Sequence, residues 1–166
     1  MNSRLLWGCV LVLVASGAAN AAEQAAKKPG ASIDVSVRLT KRAAAKLAGA
    51  HESIGLSAVF FGDPNNESAR RAAAEDGRVA LGVVDRQLAK AGRVRIAPPA
   101  FDAATLASIG PAGPRVNINV FSARKSLPDN VLDCDFFEDR LAVALRKPIV
   151  LRCALIGERA PAKAAE

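Results

Sequence analysis

Ile33-Asp34-Val35-Ser36-Val37-Arg38-Leu39-Thr40 alternates apolar and polar residues without a break. An extended backbone sends successive side chains to opposite faces. The pattern therefore predicts a strand with Ile33, Val35, Val37 and Leu39 buried and the other face wet. Arg115–Ser122 repeats it, with Val116, Ile118 and Val120 inward and Asn117, Asn119 and Phe121 on the opposite face. Ser53–Phe61 places Ile54, Leu56, Ala58 and Phe60 together, and Gly62-Asp63-Pro64-Asn65-Asn66 supplies the turn that ends it. Further runs are Arg78–Val84, with Val79, Leu81 and Val83 on one side, then Val94–Ile96, Val131–Phe137, Arg140–Leu145 and Ile149–Ile156. Proline and glycine punctuate the gaps between them.

Short strands at intervals near ten residues predict a mostly β chain folded as a single antiparallel β-sandwich of about seven or eight strands. A closed barrel is the second choice. Lys41–Ala50, Ser68–Ala74 and Asp85–Ala91 are alanine-rich or otherwise helix-prone, and Asp102 stands where the N-cap of a turn over Asp102–Ile109 would be. One or two short helices are thus expected in the connections. Ala74-Glu75-Asp76-Gly77-Arg78-Val79-Ala80-Leu81 resembles the turn and strand of transthyretin-like and carboxypeptidase-regulatory-like β-sandwich modules. The resemblance implies an immunoglobulin-like or transthyretin-like architecture; it implies no activity and no site residue.

The N-terminus reads differently. Met1–Arg4 is a short basic start, Leu5–Val14 an uncharged apolar run, and Ala19-Asn20-Ala21 offers small residues before a cut. This is the layout of a secretory signal peptide cleaved near Ala21. The apolar run is too short to cross ~30 Å of hydrocarbon, so the product is not expected to span a membrane. The expected organisation is a signal at 1–21, a flexible leader at 22–31, a β-sandwich domain at 32–157 and a disordered tail at 158–166. Export leads to the periplasm or the exterior, where disulfides persist. Cys9 leaves with the signal, and Cys134 and Cys153 remain as one bridge. Alternation turns both sulfurs toward apolar neighbours and leaves open whether they join adjacent strands or two sheets.

Half the residues are hydrophobic, which excludes intrinsic disorder. The net charge of +7 is spread along the chain, which reads first as solubility and second as a match to an acidic partner or an anionic surface. Nucleic acid is disfavoured, because there is no tyrosine and Trp7 departs with the signal, leaving little for base stacking. The inventory for catalysis is thin as well. His51 is the only histidine and is read as a solvated turn residue. Asp133, Asp135, Glu138 and Asp139 form a weak acidic cluster. Such carboxylates could ligate calcium or act as a pair in glycoside cleavage, but the spacing is not that of a calcium loop and no sequence feature suggests a cleft, so they are read as a wet face. Phe60 and Phe136 are assigned to the core, and Phe61, Phe101, Phe121 and Phe137 to the outside.

No catalytic residue, cofactor or metal is expected. The leading expectation is a non-catalytic exported β-sandwich that binds an envelope or secreted protein as an accessory, assembly or inhibitor factor. Asn117, Asn119 and Phe121 are its proposed contact face. The alternative is a basic module for anionic cell-wall polymer or lipid headgroups, and the third is a hydrolase using Asp133, Asp135, Glu138 or His51. The alanine- and arginine-rich composition looks bacterial. Intact-mass analysis of the exported protein is expected to place its first residue at Ala22; a product that keeps residues 1–21 would remove the signal assignment.

Overall fold

A computed structural model describes residues 31–158. The predicted signal, all of the leader but Ala31, and the tail beyond Glu158 lie outside the described residues. The elements run β1 (Ile33–Leu39), α1 (Lys41–Gly49), β2 (Ile54–Gly62), α2 (Glu67–Ala72), β3 (Val79–Leu88) and β4 (Gly92–Ile96). There follow α3 (Ala103–Ala107), β5 (Arg115–Ser122), β6 (Leu132–Cys134), β7 (Phe137–Arg140), α4 (Leu141–Ala144) and β8 (Ile149–Leu155). The chain is mostly β, with eight strands in two four-stranded sheets: β4-β1-β8-β6 (sheet I) and β3-β2-β5-β7 (sheet II).

Alternation does in space what it promises in sequence. Ile33, Val35 and Val37 of β1 and Ile149, Leu151 and Cys153 of β8 are buried from one sheet. Ile54, Leu56, Ala58 and Phe60 of β2 and Val116, Ile118 and Val120 of β5 are buried from the other. All belong to one apolar cluster. A fully buried residue of this size contributes roughly 1.5–3 kcal/mol. Ala43 and Leu47 of α1 and Leu141 and Ala144 of α4 join the same cluster. Thr40, Asn66 and Asp102 cap α1, α2 and α3, each side-chain oxygen accepting the N–H three residues on.

Four expectations are corrected. The sheets are not wholly antiparallel: β1 and β8 run parallel, Val35 beside Ile149 and Leu39 beside Cys153. Parallel neighbours need a crossover, and here everything from α1 to α4 serves as one. Val131–Phe137 is not one strand, since β6 pairs with β8 in sheet I and β7 with β5 in sheet II. The change of sheet falls at Asp135-Phe136 and turns Phe136 out of the core, 69% exposed. Arg140–Leu145 is a strand only to Arg140, after which Leu141–Ala144 forms a helical turn. Leu-Ala-Val-Ala-Leu satisfies a two-residue and a three-to-four-residue period equally, and burial of Leu141 with Ala144 selects the helix. Asp85–Ala91 is no helix, because β3 continues to Leu88 opposite Ile54 and pairing with β2 overrides local propensity. The described helices therefore number four.

Chain crossings between sheets leave backbone groups that need partners. Between β5 and β6 they come from Ser122 and Asn130. Asn130 Oδ1 accepts from Ser122 N at 2.8 Å and Leu132 N at 3.1 Å, and Ser122 Oγ accepts from Val131 N at 2.9 Å. Cys134 and Cys153 are bonded, Cα to Cα 3.9 Å, directly opposite each other on β6 and β8. The bridge therefore joins adjacent antiparallel strands of sheet I. Replacing both cysteines by alanine is expected to cost about 2–4 kcal/mol, read from the urea midpoint of the oxidised parent against the variant. An unchanged midpoint would show that β6 is held by packing alone.

Candidate interaction site

Hydrogen-bond register fixes what the outer face of sheet II presents. Val83, Val59, Asn117 and Glu138 form one row across β3, β2, β5 and β7. Asp85, Ser57 and Asn119 form the next row, and Gln87, Gly55 and Phe121 the one beyond. On the other side stand Phe61, Arg115 and Arg140. Val59 and Val83 are paired neighbours, 38% and 56% exposed, on β2 and the edge strand β3. Asn119 beside them is exposed, and Asn117 and Ser57 are half-buried.

Both ends of the face are held. At one end the Phe121 ring lies over Gly55, where any Cβ would run into it. Phe121 is half-buried and offers only part of its ring. At the other end Glu138 accepts from Arg78 Nη1 at 3.3 Å, Arg115 Nη2 at 3.1 Å and Asn117 Nδ2 at 3.2 Å. Both guanidiniums also lie on the Phe61 ring, 4.1 Å and 5.5 Å from its centre. Phe61 was expected outward and is buried, because these cations cover its outer face. Ion pairs this exposed are individually weak. Together they fix the Asn117 end of the valine row.

The bulge where Phe60 opposes Gly82 and Phe61 opposes Ala80 explains why the valines were missed. It leaves Leu81 unpaired and packed on the core while Val83 points out, although plain alternation put both on one side. A legible signal did exist in β2. Val59-Phe60-Phe61 breaks its alternation and places an apolar residue on the polar face.

The acidic residues are not brought together. Asp133 is exposed on β6 of sheet I, and Asp135 follows the end of that strand, its carboxylate accepting from Arg152 N at 3.0 Å. Glu138 and Asp139 lie on β7 in sheet II, with Asp139 Oδ1 accepting from Arg140 N. Among the described residues no group of three or more His, Cys, Asp or Glu is placed to hold a metal. His51 is exposed in the α1–β2 turn with φ at 52°. Phe101 and Phe137, expected outside, pack against the core from half-buried positions. No helix among the described residues is long and apolar enough to cross a membrane. Comparison with known protein families, with curated proteins and with solved structures finds no match to this chain.

Glu52 is the carboxylate the sequence did not single out. It is 4% exposed and accepts from Ser126 N at 2.9 Å, Leu127 N at 3.0 Å and Ser53 N at 2.8 Å. The Ser126 N–H above all, helped by those of Leu127 and Ser53, pulls its pKa from 4.5 down to about 2 against the opposing effect of burial. So many backbone donors on one carboxylate make it a loop clamp, tying residues 123–127 to the start of β2. A pKa depressed by folding adds stability above the unfolded value, lost as pH falls from about 4.5 toward 2. Glu52→Gln should therefore lower the melting temperature at pH 7, and the gap to the parent should narrow across that acid range. A gap of constant size would exclude the charged clamp.

Proposed function

We propose that this chain is an exported, non-catalytic β-sandwich that docks onto another protein of the bacterial envelope as an accessory, assembly or inhibitory factor. The outer face of sheet II is the docking surface. The observation that carries this reading is the Val59–Val83 pair, exposed side by side between polar rows. An exposed apolar pair flanked by amides, hydroxyls and charges, and reaching the edge of a sheet, has the composition of a protein interface. Asn117, Asn119 and Ser57 provide hydrogen-bonding groups around it, and the Phe121 edge extends the apolar area. The Arg78–Glu138–Arg115 cluster keeps one flank rigid, which lowers the entropy lost on docking.

Export is supported by the signal-like start and by a disulfide that suits an oxidising compartment. The two sheets are read as the layers of a sandwich because one apolar cluster draws on both. A hydrolase is disfavoured by geometry: Asp133 lies on sheet I and Glu138 and Asp139 on sheet II, Asp135 is bonded to the β8 backbone, and Glu138 is occupied by two arginines.

A photo-crosslinking residue at Val83 of the full chain, expressed in its own cells, tests the reading. It should give a discrete adduct that a control at exposed Arg71 on α2 does not. Val59→Asp or Asn119→Arg should reduce that adduct about tenfold, the loss expected at the centre of an interface, without lowering the melting temperature. Equal labelling from positions 83 and 71 would sink the proposal.

A further inference from the structure

The outer face of sheet I has a different chemistry. β4 contributes Arg93 and Arg95, β1 contributes Asp34, Ser36 and Arg38, and β8 contributes Val150 and Arg152. Register places Arg93 beside Ser36 beside Val150, and Arg38 beside Arg152. Arg95 Nε lies 3.1 Å from Asp34 Oδ1. Arg38 and Arg93 are exposed, and among the described residues neither has an ion-pair partner. Among them runs an open trough of about 420 Å³, lined by Arg38, Arg93 and the Arg95–Asp34 pair, with Ser36, Val150 and Pro148 between them. A separate hollow of about 540 Å³ on the far side of Arg38 is lined by Thr40, Arg152 and the carboxylates of Asp135 and Glu158, and so is less suited to an anion.

We infer that this trough binds a linear acidic polysaccharide, its carboxylates taken by Arg38 and Arg93. A guanidinium offers paired N–H donors in a plane, matching a carboxylate. The Ser36 hydroxyl can exchange hydrogen bonds with sugar hydroxyls, and Val150 with Pro148 gives an apolar wall for the C–H face of a sugar ring. Arg38 and Arg93 stand on different strands and are offset along them, which suits carboxylates spaced along a chain rather than a compact single anion. The trough is concave, so a flat bilayer could not reach its floor. No aromatic side chain lines it, so bases would find no stacking platform. Each exposed contact is weak, and affinity would come from successive acidic sugars along one polymer.

The test uses the full exported chain and a fluorescent oligogalacturonate, with dextran as the neutral control. Binding is expected at low ionic strength, should weaken as salt rises, and should be absent for dextran. Arg38→Gln with Arg93→Gln should weaken it about tenfold or more, and so should Ser36→Glu, which puts a carboxylate in the trough. Arg70→Gln with Arg71→Gln, the same change of charge on α2, should leave it intact. Thermal unfolding confirms that each variant folds, and Ser36→Glu gives an independent route if the double variant does not. The inference is overturned if the trough variants bind like the parent or both charge-removing pairs weaken binding equally. It is also overturned if phosphatidylglycerol vesicles or a DNA oligonucleotide bind and the oligogalacturonate does not.

Discussion

Sheet I depends on the arrival of its last strand. β8 lies between β1 and β6, parallel to the first and antiparallel to the second, and no other strand connects them. Without it β1 and β4 would be a two-stranded ribbon, a unit of marginal stability by itself. The junction is fastened beyond its ladder. Thr40 N donates to Cys153 O at 3.0 Å, and Thr40 Oγ1 donates to Glu158 Oε2 at 2.9 Å while capping α1. Glu158 Oε2 also accepts from Leu155 N at 2.9 Å. That Leu155 N–H, with the Thr40 hydroxyl and the Arg42 charge, holds the Glu158 carboxyl below its ordinary pKa against burial. The end of β1, the start of α1 and the turn after β8 thus meet at one hydroxyl and one carboxylate, with the disulfide on the other edge of β8.

That arrangement shapes the rest of the path. After β3 the chain changes sheet at every strand, from β4 through β8. Each change interrupts a ladder and leaves backbone donors to be met. Side chains meet several: Asn130 and Ser122 before β6, and Asp135 after it, facing the Arg152 amide. Glu52 gathers the 123–127 loop against β2 in the same way. Nothing in the sequence marks these polar residues as buried, yet two of them, Glu52 and Ser122, are. Their chemistry serves the crossing, which is why a depressed carboxylate here is no sign of catalysis.

β1, β2, β5 and β8 were legible because each buries one face, and burial on one face imposes the two-residue period. The same period says nothing about direction, so the parallel β1–β8 pair was invisible: Val35 and Val37 alternate identically beside either kind of partner. Leu132, Cys134 and Phe136 alternate on paper, yet the strand breaks at Asp135, whose amide and carboxylate pair with Arg152, far away in sequence. Asn117 and Asn119 were legible as outward residues for the reason their strand was. Val59 and Val83 were not, since their adjacency needs both the register of β2 with β3 and the bulge beside Gly82.

Arginine shows most clearly what register adds. Spread along a chain, it reads as solubility; folding gives it two fates. Arg78 and Arg115 converge on Glu138 and Phe61 and are consumed by structure. Arg38, Arg93, Arg95 and Arg152 converge on the outer face of sheet I from three strands. Part of that second group has a plain physical use, because β4 is an edge strand and charged side chains on an edge oppose pairing with other chains. That reason covers Arg93 and Arg95. It does not reach Arg38, which stands on β1 inside the sheet, beside Arg152 on a neighbouring inner strand. A ligand that neutralises Arg38 supplies a reason for the placement.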